Sequence, residues 1–211
     1  MLAADQGNPE GQLRVGIAYR WGNGVDQDYA KAREYYEKAA DQGLTEAMNN
    51  LAFLYDNGMG VPQDSEQAVK YFKMAADLGN SLAQYNLGNC YQQGKGVEQS
   101  YEEALRYYTL SAEQGDADGL HNLAYLYFEG NGVEQDYGMA LEYFRQAAEQ
   151  GDSFSIYMVG ECYYLGNGVE KDLDQAALWF RKACDLGYFD VATEEERKRI
   201  EDVLGSKAGG E

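Results

Sequence analysis

The sequence has 211 residues, 45% hydrophobic and 13% aromatic, enough for one or two ordinary domains or one elongated array. Seventeen basic side chains against 36 acidic ones give a formal net charge of -19, a surface that repels the phosphates of nucleic acid and of anionic lipid and so argues against both as direct partners. No run of 18 apolar residues is present, so no membrane-inserting helix is expected.

In chain order, the opening stretch MLAADQGNPEG has neither the basic nor the apolar segment of a signal peptide. The cytoplasm is the favoured compartment, and export or envelope association stays compatible with a native start further upstream. From Gly22 onward one turn recurs: GNGV at Gly22, GMGV at Gly58, GKGV at Gly94, and GNGV at Gly130 and Gly166, a period of 36. A glycine-rich turn entering a helix can cradle a phosphate. A phosphate site needs one such loop, however, and the Lys-Ser/Thr that would follow it is missing. Five copies in register describe a connector, with glycine supplying positive φ.

Each turn joins two helical patterns. Before the second turn, Ala47, Met48, Leu51, Ala52, Leu54 and Tyr55 follow the spacing of a helix with one buried stripe; after it, Ala68, Tyr71, Phe72, Ala75 and Ala76 do the same. Asp28, Asp64, Ser100, Asp136 and Asp172 stand at the N-cap of each second helix, and Gly43, Gly79, Gly115, Gly151 and Gly187 at its C-terminal stop. The chain therefore divides into 1–7, the end of a truncated preceding repeat; five helix-turn-helix repeats at 8–43, 44–79, 80–115, 116–151 and 152–187; a capping helix at 188–204; and a tail at 205–211 expected to be disordered. Thr193 and Glu196 form a capping box before the narrow apolar stripe of Ile200, Val203 and Leu204. Cys90, Cys162 and Cys184 have no zinc spacing and read as reduced thiols, a labile Cys162–Cys184 bond being the alternative.

The unit resembles the Sel-1-like repeat, a relative of the tetratricopeptide repeat. The matching residues are Ala83, Leu87, Gly88 and Tyr91, the GxGV turn, and Ala104, Tyr107, Tyr108, Ser111, Ala112, Glu113 and Gly115. The resemblance covers residues 3 to 187. It implies an all-α, right-handed α/α solenoid whose first helices line a concave surface, and a role as a scaffold or adaptor for other proteins. The ends depart from it: Ala3 to Gly7 match the end of a second helix, so the chain reads as part of something longer. Where a sixth first helix would carry Leu or Val and then Tyr, Glu195 and Arg199 stand instead, which suits a terminal cap.

The five copies also separate stacking from ligand positions. Tyr19, Tyr55, Tyr91, Tyr127 and Tyr163 form one fixed ladder and Tyr35, Tyr71, Tyr107, Tyr143 and Trp179 another, so the tyrosines read mostly as core. At about 100° per residue, the face opposite the buried stripe carries Glu10, Leu13, Ile17; Glu46, Asn49, Phe53; Leu82, Tyr85, Asn89; Asp118, His121, Tyr125; and Phe154, Tyr157, Glu161. That face is rich in aromatic and aliphatic residues, whereas the outward face of the second helices is nearly all charged. Exposed apolar area rimmed by polar groups marks an interaction site. Asn49, Phe53, Leu82, Tyr85, Asn89, Asp118, His121, Tyr125, Phe154, Tyr157 and Glu161 are thus the candidate partner-binding groove, unless neighbouring first helices simply pack these residues against each other. Asn50, Asn86 and Asn122 on its shoulder are expected to make inter-helix hydrogen bonds. Three uses remain open: docking of a protein or peptide, favoured as basic by the acid excess; binding of carbohydrate or another small ligand; and self-assembly. His121 with Asp118 and Glu161 is a fragment of a catalytic site, without an activated nucleophile. No enzyme activity, cofactor or metal is expected.

Overall fold

The computed structural model describes residues 2–208, with side chains from 4 to 205; it is all-helical, with thirteen helices and no strand among the described residues. Five consecutive helix pairs make it an α/α solenoid, in two compact units, Met1–Ser111 and Ala112–Glu211. The first unit holds α1 (Leu2–Asp5), α2 (Pro9–Trp21), α3 (Tyr29–Ala40), α4 (Thr45–Asn57), α5 (Ser65–Asp77), α6 (Ser81–Gln93) and α7 (Tyr101–Ala112), which ends one residue past the division. The second holds α8 (Ala117–Glu129), α9 (Tyr137–Glu149), α10 (Ser153–Leu165), α11 (Leu173–Asp185), α12 (Tyr188–Val191) and α13 (Glu194–Ala208). No helix among the described residues is long and apolar enough to cross a membrane.

Side-chain caps start the second helices where the sequence puts them. Asp28, Asp64, Asp136 and Asp172 accept from the amides of Lys31, Gln67, Met139 and Gln175 at 2.9–3.0 Å, and Ser100 from Glu103 at 3.2 Å. First helices are capped as well: Asn8, Asn80, Asp116 and Asp152 start α2, α6, α8 and α10, whereas α4 starts at Leu44 with no side-chain cap.

The GxGV turns are fixed by two demands on glycine. Both glycines of each turn have positive φ, with φ 68 at Gly94 and 72 at Gly96. At Gly60, Gly96 and Gly168 the second one also has no room for a side chain: a Cβ on Gly96 would lie 2.3 Å from the Ser65 carbonyl oxygen, and one on Gly168 2.3 Å from that of Tyr137. These three turns thus lodge against the start of the preceding repeat's second helix. Glutamine closes the loop in four copies: the side-chain amides of Gln27, Gln63, Gln99 and Gln135 donate to the carbonyls of Arg20, Asp56, Gln92 and Phe128 at 2.7–2.8 Å.

In the first unit the core is built from Leu51, Leu54, Leu87, Tyr36, Phe72 and Tyr107; in the second, from Val159, Phe144, Tyr157, Phe180, Ile200 and Val203. Within each repeat a small residue faces a ring: Cβ atoms on Gly16, Gly88 and Gly160 would stand 2.6 Å from Tyr36, Tyr108 and Phe180. The tyrosine ladders differ from the core expected of them. Tyr19–Tyr35, Tyr55–Tyr71, Tyr91–Tyr107 and Tyr127–Tyr143 stack with centroids 5.7–5.9 Å apart, but all except Tyr107 are only half-buried. Cations cover several rings at the same margin, Lys31 over Tyr19, Arg106 over Tyr107 and Lys182 over Trp179, and Lys73 donates to the Tyr107 hydroxyl at 3.3 Å.

The C-terminal segment is two helices where one was expected. Ala192 is extended, and Thr193 restarts the chain as α13 with a reciprocal capping box: its amide donates to Glu196 Oε2 at 2.7 Å and its Oγ1 accepts from the Glu196 amide at 3.3 Å. Helix α13 continues to Ala208, into the stretch expected to be disordered from 205; residues 209–211 lie outside the described residues.

Two stability outcomes follow. Gly88→Ala gains about 1 kcal/mol of helix propensity but drives a methyl into Tyr108, an overpacking cost of about 1–3 kcal/mol; the urea midpoint is expected to fall, and a rise would show that the ring yields freely. Ser111 is fully buried where Ala39, Ala75, Ala147 and Ala183 stand in the other repeats, and its hydroxyl has no hydrogen-bond partner among the described residues. Ser111→Ala should therefore raise stability by about 1 kcal/mol, read as a higher urea midpoint.

Candidate functional site

The candidate groove residues of the first unit are largely held by the chain itself. Asn49 is buried and its Oδ1 accepts from Asn86 Nδ2 at 2.9 Å, an inter-helix bond between α4 and α6. Arg20, from α2, lays its guanidinium 4.3 Å over the Phe53 ring and donates to Asn50 Oδ1 at 3.2 Å; it also lies 4.9 Å from the ring of Trp21, which is 62% exposed. Two of the shoulder asparagines therefore make the expected inter-helix bonds, while Asn122 turns back to its own helix at the Asp118 carbonyl. The Tyr108 hydroxyl donates to Asn89 Oδ1 at 2.6 Å, and Tyr85 tilts against the Tyr108 ring. Leu82 is exposed at 43%. A cleft of about 220 Å³ lies among Phe53, Asp56, Asn86, Asn89, Cys90 and Lys95, and the Lys95–Asp56 ion pair at 2.7 Å sits in its wall.

In the second unit the same face meets the C-terminal helices. Tyr157 is 2% exposed, stacked on Phe180 at 5.3 Å and on Tyr188 of α12 at 4.8 Å, so its ring is core. Its hydroxyl donates to Glu161 Oε2 at 2.9 Å. Glu161 is buried too, because Arg199 of α13 pairs with it directly and with Glu195 at 2.9 Å. A free outward position was expected for both; α12 and α13 fold over α10 and cover them. Burial and the bonded Glu161 carboxylate push the Tyr157 hydroxyl well above the usual phenol range.

Between α8, α10 and α13 a cleft of about 290 Å³ stays open, lined by Tyr125, Phe128, Glu129, Phe154, Tyr157, Met158, Glu161, Thr193, Glu195, Glu196 and Arg199. Tyr125 and Phe154 are half-buried with centroids 6.3 Å apart, and burial together with the Glu129 carboxylate one turn later pushes the Tyr125 hydroxyl above the usual phenol range. His121 lies outside this cleft. Its Nδ1 is 2.9 Å from Asp152 Oδ2 and its ring is 4.7 Å from Phe154, so its carboxylate partner is the N-cap of α10 rather than Asp118 or Glu161. Burial works to raise the Asp152 carboxyl, and the bonds from His121 and Ser155 outweigh it, leaving the group below the usual carboxylate range. Asp118 is shifted the other way by partial burial and the carboxylates of Asp116 and Asp152. Cys162 is buried, its thiol pushed up to about 12 by desolvation, and Ser155 is fully buried; neither offers a nucleophile to His121. All three cysteines are free thiols, and no group of three or more metal-ligating side chains occurs among the described residues.

Arg199 is the residue whose role the sequence hid. It stands where a sixth repeat would place its tyrosine, and that departure was the signal; its pairing with Glu161 needs the fold. Phe128 and Glu129 lie three and four residues after Tyr125, on the same face of α8, one turn beyond the outward triplet.

At the opposite end of the chain a mostly apolar cleft of about 400 Å³ lies among Ala4, Val15, Ala18, Tyr19 and Val25 of the first unit.

The Sel1 repeat family matches residues 9–44, 45–80, 81–116, 117–152 and 153–188. No curated protein matches this sequence. Among solved structures, a protective antigen present in uropathogenic Escherichia coli strains, displaying an SLR fold, is 34% identical with a TM-score of 0.89 over 99% of this chain; this chain spans 44% of that protein's length. A Sel1 repeat protein from Oxalobacter formigenes is 29% identical with a TM-score of 0.82, over 94% of this chain and 86% of its own. The immunity protein Pa5087 from Pseudomonas aeruginosa, 21% identical with a TM-score of 0.57 over 94% of this chain and 81% of its own, shares the fold alone. Sel1 repeats are generally non-enzymatic scaffolds for protein–protein contacts. With five consecutive matched repeats and the helix pairs to go with them, the chain belongs to the Sel1 repeat family.

Proposed function

We propose that this chain is a non-enzymatic interaction module that docks a protein or peptide segment against the exposed side of its first helices, with the cleft between α8, α10 and α13 as the principal seat. The observation that carries this reading is the cleft itself: half-exposed rings of Tyr125, Phe128 and Phe154 in one place, rimmed by hydrogen-bonding carboxylates. Rings give contact area at little cost in side-chain entropy, and a few such anchors carry most of the energy of a typical interface. Tyr157 and Glu161 form part of the cleft's wall from buried positions, and Leu82 and Tyr85, with Asn49 bonded to Asn86 beneath, offer a smaller contact on the first unit.

The test is selection of a random peptide display library on the immobilised protein, followed by binding of the recovered peptides to two variants. Tyr125→Ala should weaken them about tenfold or more while the melting curve stays close to that of the parent. Tyr157→Ala should instead lower stability by about 3–5 kcal/mol, as removal of a buried ring does. Peptides that bind Tyr125→Ala as well as the parent, or a selection that returns none, would sink the docking role of this cleft.

A further inference from the structure

The chain places its own cations on the first-helix face, and their positions are related by the repeat. Residues 17, 53, 89, 125 and 161 are one position carried through five repeats. At Phe53 the occupant is the Arg20 guanidinium, 4.3 Å above the ring. At Glu161 it is the Arg199 guanidinium, ion-paired and within 5.8 Å of the Tyr164 ring centroid. Asn89 is tied to Tyr108 instead. At Tyr125 the ring is half-buried in the wall of an open cleft. Beside it Glu129 is exposed and has no ion-pair partner among the described residues.

The cleft's charge points the same way. Four carboxylates, Glu129, Glu161, Glu195 and Glu196, line it against the single guanidinium of Arg199, which Glu161 and Glu195 already engage. A planar cation stacks on an aromatic face and bonds a carboxylate with its edge at the same time, and Tyr125 with Glu129 supplies one of each. Resting on the docking role proposed above, we infer that this cleft takes the arginine side chain of a basic peptide segment, its guanidinium stacked on Tyr125 and hydrogen-bonded to Glu129. The recognised feature is the guanidinium, not positive charge in general. The acid-rich chain would draw any cation near, and only the cleft would discriminate among them.

The probe is a fluorescent peptide of repeating glycine, serine and arginine, compared with its neutral citrulline counterpart and its lysine counterpart, by anisotropy at low salt. Expected is binding of the arginine peptide about tenfold tighter than the citrulline one, with lysine between them. Glu129→Lys should weaken the arginine peptide by about tenfold, and Glu134→Lys, the same charge reversal on the neighbouring exposed turn, by much less. Equal binding of arginine and citrulline peptides, or equal loss in the two charge-reversal variants, would overturn the inference. Library-selected peptides that lack arginine yet still need Tyr125 would leave the docking role standing and this inference refuted; a library that returns no peptide dependent on Tyr125 would remove both.

Discussion

In three of the GxGV turns, at Gly60, Gly96 and Gly168, the second glycine sits where any side chain would strike the backbone of the preceding repeat. A Cβ at Gly96 or Gly168 would come within 2.3 Å of a carbonyl oxygen at the start of the earlier second helix, a separation that atoms do not adopt. Positive φ at the same residue excludes L side chains a second time. This close backbone approach holds successive helix pairs in register within each unit, and the small-against-ring pairs, such as Gly88 under Tyr108, fix how the two helices of one repeat meet. Everything presented on the first-helix face inherits its spacing from that contact.

Because the constraint is local and periodic, the sequence states it openly. The five turns, the residues that cap the second helices and the glycines that end them were readable because the same residue types recur every 36 positions. The caps of the first helices, Asn8, Asn80, Asp116 and Asp152, obey the same chemistry. They were missed because they lie just beyond the glycine taken as each repeat's end.

What the face exposes is a different matter, since helical periodicity gives direction and not neighbours. The 3.6-residue spacing puts Tyr157 and Glu161 opposite the stripe; Tyr157 is buried between Phe180 of its own repeat and Tyr188 of α12, and Glu161 under Arg199 of α13. Asn49 faces outward by the same rule and is closed off by Asn86 one repeat later. Tyr125 stays half-exposed in the wall of a cleft that α13 lines but does not fill. The capping segment was legible as a cap from its broken pattern, Glu195 and Arg199 in place of an apolar residue and a tyrosine. Its second job, supplying carboxylates and a guanidinium to a cleft, depends on a partner thirty-eight residues away.

The distribution of indole rings has a practical consequence. Each compact unit carries one tryptophan, and the two live in unlike surroundings: Trp21 at the end of α2 is mostly in water beside Arg20, whereas Trp179 on α11 is half-buried beneath the Lys182 ammonium. Removing either indole leaves a single tryptophan in a known unit, so its emission, excited beyond the absorption of the tyrosines, becomes a local reporter without any added dye. Unfolding that begins in one half of the array then acquires a colour of its own.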